Sequence, residues 1–321
     1  AAGLSAAFSA PLAGVFFLVE EITFNFTPKE VLSALAAAMS SDLMTLCFFG
    51  TQPCLYLPLD KSLPLTSYWF VAIIGVVLGL LAYLYQYCLL SLKPVYAKIT
   101  KIPAIYHSII PLLLVIPIGL WNANLLGGSH DFISSLFDPI FMKSIQTGTL
   151  SLMLLPLVWF VVRFIFSMIS YGASVPGGIF MPILAAGALS GSVFAHAMVS
   201  AGVLAPERTA AFTVLAMAGT LTAAVKAPIT SILLVVEMSG SLVHMFPVAA
   251  VAFVSLLISD ALHIRPIYPA LLERYMKQHE GTDISAMPVH SGMLEIPIEI
   301  GSMAAGKRIH AISWPDSTSV I

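Results

Sequence analysis

Residues 2–20, AGLSAAFSAPLAGVFFLVE, and residues 219–237, GTLTAAVKAPITSILLVVE, align without a gap at an offset of 217. Seven of the nineteen positions are identical: Leu4/Leu221, Ala6/Ala223, Ala7/Ala224, Ala10/Ala227, Pro11/Pro228, Val19/Val236 and Glu20/Glu237. Apolar residues align easily by chance, but Ala-Pro followed nine residues after the proline by a glutamate does not. Proline cannot continue a helix that began several residues earlier, so each copy predicts an apolar segment broken at the same place. Two widely separated copies of one broken segment are the mark of a transporter-like fold built from related halves.

That reading needs a membrane, and the composition supplies one. The chain is 59% hydrophobic and only 9% charged, with a mean hydropathy of +0.95; soluble domains carry about 25% charged residues. The fold class is therefore an all-α integral membrane protein. A net charge of −2 without a basic cluster argues against a nucleic-acid partner. Cys47, Cys54 and Cys88 lie in or beside apolar runs without metal-ligand spacing, and read as small buried hydrophobes. No cofactor or metal site is expected. No nucleophile, base and orienting group assemble near a pocket-forming motif, so no enzyme is expected either. The sequence opens inside a helix-like run and closes inside a strand-like one, and is expected to be a piece of a longer protein.

A spanning helix needs roughly 20 apolar residues, a length that 31–50, 68–92, 105–125, 150–171 and 246–262 meet or approach. Three other segments are interrupted: 1–21 at Pro11, 177–204 by Gly177, Gly178, Pro182, Gly187 and Gly191, and 208–238 at Pro228. Irregular backbone at membrane depth must be buried in protein or line a cavity, and broken helices in matching halves point to the substrate site. Lys93, Lys98 and Lys101 place 93–103, and with it the end of the first copy, on the cytoplasmic side. Four full spans plus a crossing by 177–204 would separate the copies by an odd number and make them inverted repeats. After Ala261 the character changes, through an amphipathic stretch at 269–280 to a soluble-looking tail in which 293–301 alternates like a strand.

Three features carry candidate chemistry. Gly177-Gly178-Ile179-Phe180-Met181-Pro182 reads as a flexible approach to a helix N-terminus. There, unpaired N–H groups and the positive end of the dipole hold an anion without a full positive charge. A glycine-mediated helix contact is the competing reading. Glu20 and Glu21 end the first copy. Glu20 is matched by Glu237, which points to a shared structural role such as holding neighbouring backbone. Glu21 is matched by Met238, so its carboxylate is not required by the repeat and is the better proton-relay candidate; the alternative is a solvated acid at the membrane edge. Tyr268, between Pro266 and Pro269, is either an interfacial tyrosine or a donor to an anion. Arg163 within an apolar span is read as structurally paired.

GLSAAFSAPLAGVFFLVEE, VPGGIFMP, KAPITSILLVVEM and RPIYPALL, in this order, resemble the CLC family of chloride channels and chloride/proton antiporters from residue 1 to about 280. The resemblance implies a CLC-type inverted-repeat bundle with broken helices, one pore per subunit, and homodimers. It implies a chloride bound by the backbone N–H groups of Gly178, Ile179 and Phe180 and by the Tyr268 hydroxyl, with Glu21 as the inner proton-transfer glutamate of antiporters. Two family motifs are not in the sequence: the Gly-Ser-Gly-Ile-Pro type, whose serine touches chloride, and the Gly-(Lys/Arg)-Glu-Gly-Pro type, whose glutamate is the outer gate. The offset between copies would place the second roughly 35 residues before Ala1. Residues 292–321 resemble the opening of a TrkA-C (RCK C-terminal) domain, an incomplete small α/β cytoplasmic segment.

The organisation expected is thus a transmembrane domain over 1–280, a linker over 281–291 and a partial regulatory domain over 292–321 able to read a small molecule. The function expected is chloride/proton antiport in the plasma membrane, with the tail cytoplasmic. A passive channel or a fluoride-selective exchanger of the same fold stands as one alternative, and a non-transporting scaffold or regulator as another.

Overall fold

The computed structural model describes residues 1–24, 26–50, 55, 63–97, 106–126, 130–137, 149–173 and 177–279. Every regular element among them is helical. The basic residues Lys98 and Lys101, the whole of 281–321 and hence the linker and the TrkA-C-like tail lie outside the described residues. Residues Ala1–Arg274 form one compact unit.

The first copy of the repeat folds as α1 (Ala2–Phe8) and α2 (Pro11–Phe17), and is followed by α3 (Pro28–Phe49). Then come α4 (Tyr68–Ala97), α5 (Ile109–Trp121), α6 (His130–Ser135), α7 (Thr149–Gly172) and α8 (Phe180–Ser200). The second copy occupies the end of α9 (Thr209–Val225) and α10 (Pro228–Ser239), followed by α11 (Met245–Ala261) and α12 (Ile267–His279). Among the described residues, five stretches are long and apolar enough to cross a membrane: Pro28–Phe49, Leu65–Leu92, Leu154–Gly172, Phe180–Ser200 and Pro206–Val225. The chain is a multi-pass membrane protein.

Both prolines break their segments as expected, and they do so with the same backbone. Ser9 and Lys226, equivalent residues, are both left-handed, at φ 50°, ψ 44° and φ 66°, ψ 28°. The alanines before the prolines follow suit, at φ −133°, ψ 75° and φ −113°, ψ 82°. The pre-proline residue is barred from the helical region, so the chain must turn there, and proline then opens the next helix where its missing N–H costs nothing. The equivalence continues past the aligned segment, since α3 and α11 begin at equivalent positions, Pro28 and Met245.

Two sequence expectations are corrected. The segment 177–204 is not broken: from Phe180 onward it is one continuous helix of 21 residues, long enough to cross. Pro182 falls in its first turn, where no N–H is missed. Gly187 and Gly191 serve packing, since a Cβ at Gly187 would lie 2.7 Å from the Ala216 carbonyl oxygen and one at Gly191 2.8 Å from that of Phe212. This is the small-residue contact by which membrane helices approach closely. Conversely, 105–125 yields a shorter helix of 13 residues, while 246–262 yields one of 17 residues, as expected.

Helix α9 is the centre of the bundle, buried from Ala211 to Val225 between α8, α4 and α11. Ser255 and Ser259 of α11 donate to its Gly219 and Ala223 carbonyls, each at 2.8 Å. At the equivalent interface of the first copy, Ser5 of α1 donates to Ala38 of α3 at 2.9 Å. Such hydroxyl–carbonyl bonds tie helices where hydrophobicity gives no drive to associate. Arg163 of α7 is structurally paired as read, donating to the Leu125 carbonyl at 2.7 Å and lying over the Phe132 ring at 5.3 Å.

Candidate functional site

The two copies hold each other by their glutamates. The Glu237 carboxylate, near the end of α10, accepts from the Leu12 and Ala13 amides at the start of α2, at 3.1 and 2.9 Å. The Glu20 carboxylate, just past the end of α2, accepts from the equivalent Ile229 and Thr230 amides at the start of α10, at 3.1 and 2.7 Å, and from the Thr230 hydroxyl at 2.7 Å. Each carboxylate satisfies donors that a helix start leaves orphaned and sits at the positive end of a dipole. The structural role read for Glu20 from its repeat partner is the one it performs. Because each helix places its C-terminal glutamate on the other's N-terminus, α2 and α10 run antiparallel. A reciprocal contact of this kind requires a two-fold relation between the copies, so the repeats are inverted.

The turn after α2 breaks the symmetry. Leu18–Thr23 is a π-helical turn, with the Thr23 hydroxyl bonded to the Leu18 carbonyl at 3.2 Å, whereas the equivalent stretch of α10 stays α-helical. The wider turn carries Glu20 and Glu21 in succession, so consecutive carboxylates take different surroundings. Glu20 caps α10. Glu21 is buried at 8% exposure, and its Oε2 has no hydrogen-bond partner among the described residues. The turn lies beyond the span-length helices, and there desolvation, aided by the Glu20 charge, pushes the Glu21 carboxyl up to about 7. A carboxyl that loses and regains its proton near neutrality can relay protons.

The start of α8 is left open. No side chain caps it and no acidic residue stands in its first turn, so its amide N–H groups and dipole face the loop of Gly177 and Gly178. Among the described residues, nothing lies within 4 Å of a Cβ built at either glycine. This separates them from Gly187 and Gly191: the first pair opens space, and only the second mediates a helix contact. Ile179 and Phe180 are buried behind the opening.

An aromatic cluster joins this start to the other two elements. The Phe180 ring lies 5.3 Å from Phe17 of α2, 6.4 Å from Phe8 of α1 and 6.4 Å from Tyr268 of α12, and Phe17 lies 6.0 Å from Tyr268. Phe17 is one turn before Glu21 on the same segment, so the cluster brings Gly178–Phe180, Tyr268 and the carrier of Glu21 together. Burial, then the charge of Glu21 and the neighbouring Tyr171, hold the Tyr268 phenol well above its ordinary range, keeping it a neutral O–H donor. Tyr268 and Glu21 thus feel one another across the cluster without sharing a hydrogen bond among the described residues. Two features were not read from the sequence. The π turn leaves no signal beyond the adjacent carboxylates. Tyr171, at the end of α7, donates its hydroxyl to the Gly178 carbonyl, and only its nearness to Gly178 in the chain could have marked it.

Comparison with known proteins places this geometry. Residues 1–260 match the family model described as voltage gated chloride channel. The H+/Cl− exchange transporter ClcA of Vibrio parahaemolyticus is 29% identical over 290 residues, covering 86% of this chain and 58% of that protein. ClcA of Klebsiella pneumoniae is 27% identical over 286 residues, covering 87% and 58%. Among solved structures, a slow cyanobacterial Cl−/H+ antiporter superposes with a TM-score of 0.74 at 26% identity, covering 87% of this chain and 64% of that one. A CLC-type fluoride/proton antiporter shares the fold, with a TM-score of 0.61 at 20% identity. The chain spans 58% of the length of these curated relatives.

Proposed function

Since the chain belongs to the voltage-gated chloride channel family, we propose that the protein of which it forms part exchanges chloride for protons across the plasma membrane. The observation that carries this reading is one aromatic cluster that joins an uncapped helix start, a neutral phenol and the segment carrying Glu21, a buried carboxyl whose Oε2 has no partner among the described residues. Chloride is held by the N–H groups of Gly178, Ile179 and Phe180 and by the Tyr268 hydroxyl. These are dipolar donors without a full charge, which bind an anion and still let it leave. Protons reach the site from the cytoplasmic side by way of Glu21. Aromatic packing around the site keeps the two paths separate and the anion dehydrated.

The names of the relatives support chloride as the anion and exchange as the mode. Glu21 favours exchange over passive conduction, because a channel has no use for a titrating group walled off from the anion donors. Homodimers in the bilayer, a cytoplasmic C-terminal segment and a small-molecule regulator acting on it complete the proposal, as the family resemblance implies.

The test uses the complete parent protein, purified and reconstituted in liposomes. An imposed chloride gradient is expected to drive protons uphill, read by a trapped pH dye. Chloride flux with no proton movement would make the protein a passive channel. No flux of chloride or fluoride would make it a scaffold.

A further inference from the structure

Tyr171 stands in the last turn of α7, and its hydroxyl donates to the carbonyl of Gly178, seven residues on. It also forms part of the wall of a cavity of about 510 Å³ that Gly177, Gly178, Tyr85, Arg163 and Ser170 share. The loop it ties needs such a tie. Gly177 and Gly178 carry no side chains to anchor them and, among the described residues, have no neighbour within van der Waals reach of a Cβ, and glycine has more backbone freedom to lose than any other residue. A carbonyl oxygen next to an anion site also repels the anion, and a phenol bonded to that oxygen draws off part of its negative charge.

We propose that Tyr171 is a positioning residue of the anion site, which fixes the Gly178 peptide so that the N–H groups of Gly178, Ile179 and Phe180 are set for the anion before it arrives. The inference rests on the reading of that segment as the chloride site. Its physical content is preorganisation: a donor set already ordered does not lose that freedom on binding. Tyr171 acts through the loop rather than on the anion, so its loss weakens chloride binding without stopping turnover. Tyr85 supplies an internal control. Its buried hydroxyl, on the same cavity, has no hydrogen-bond partner among the described residues.

The experiment measures chloride flux against chloride concentration for the complete parent protein in liposomes. Tyr171→Phe and Tyr171→Met remove the donor in two different shapes, so the readout does not depend on a single variant folding. Each is expected to raise the chloride KM by up to about tenfold, the upper end of what one hydrogen bond contributes. Maximal turnover and Tm stay near those of the unaltered protein. Tyr171→His, which keeps a donor, recovers most of the affinity, and Tyr85→Phe leaves KM unchanged. A KM within twofold of the parent in both donorless variants overturns the inference while leaving the chloride site standing. So does a parallel fall of turnover and Tm, which would make Tyr171 a packing residue, and so does an equal rise in KM for Tyr85→Phe. If the unaltered protein shows no saturable chloride flux, the site reading fails and this inference with it.

Discussion

The first copy of the repeat, α1–α2 with its following turn, and the second, the end of α9 with α10, share a backbone down to the left-handed residue before the Ala-Pro break. They also share an obligation, each lending a glutamate to the other's helix start. They part within a single turn. The first copy widens to a π-helix and ends Glu-Glu; the second stays α-helical and ends Glu-Met, with Met238 buried at 1% exposure. π turns within α-helical runs recur at functional sites, and here the widened turn carries a second carboxyl in one copy without giving up the cap. The symmetric glutamates hold the scaffold, and the asymmetric one is free for chemistry.

Changes at the two equivalent positions test that division most sharply. Glu21→Gln is expected to abolish proton pumping altogether while chloride flux persists, as read by pH and chloride electrodes on the same liposomes. Pumping that survives would return Glu21 to the scaffold. The reverse change, Met238→Glu, puts a carboxyl into a buried site whose occupant now packs as an apolar side chain. It is expected to cost about 3 kcal/mol or more of stability and to create no second proton path.

The pH dependence of stability sharpens the comparison further. Glu21 is raised to about 7 from 4.5, so the folded protein holds this proton more tightly than the unfolded chain. Its contribution is therefore present below about pH 4.5 and is lost as pH rises through about 7. Glu21→Gln, which stays neutral, should leave stability unchanged near pH 4.5 and raise it at pH 8, by on the order of 2 to 3 kcal/mol. Thermal melts at the two values check this, and a variant less stable at pH 8 contradicts the sign.

Breaking the shared caps follows in size. Glu20→Ala and Glu237→Ala each strand two backbone donors and should cost about 1 to 3 kcal/mol. Because the two caps tie the same helix pair, the double variant should depart from the sum by about 0.5 kcal/mol or more. Additive losses would mean that the two ends of the pair hold independently. The smallest effect belongs to Ser9→Gly, which relieves a left-handed non-glycine residue and should gain about 0.5 to 1 kcal/mol, measured as a rise in Tm.

Much of this is legible in the sequence. Prolines at equivalent positions fix where both copies break, because the missing N–H and the restriction on the preceding residue act locally wherever the chain goes. Family resemblance singled out Gly178–Phe180, Tyr268 and Glu21 as a set, and the pairing of Glu20 with Glu237 marked the two structural glutamates. The glycines of 177–204 misled, because a glycine that opens a loop and one that admits a neighbouring helix look alike in sequence. Nothing among the described residues stands within 4 Å opposite Gly177, whereas the Ala216 carbonyl stands opposite Gly187 within α8.

The sequence by itself determined the medium, the two broken segments and the one position at which their symmetry fails, since composition, proline geometry and identity along an offset need no partner to act. Tertiary structure alone decided that the glutamates cap across the copies, that the turn under Glu21 widens, and that Tyr171 closes on Gly178. The caps are contacts between residues whose approach depends on how antiparallel helices pack, and a hydrogen bond across 209 or 225 residues leaves no trace in the spacing of either partner.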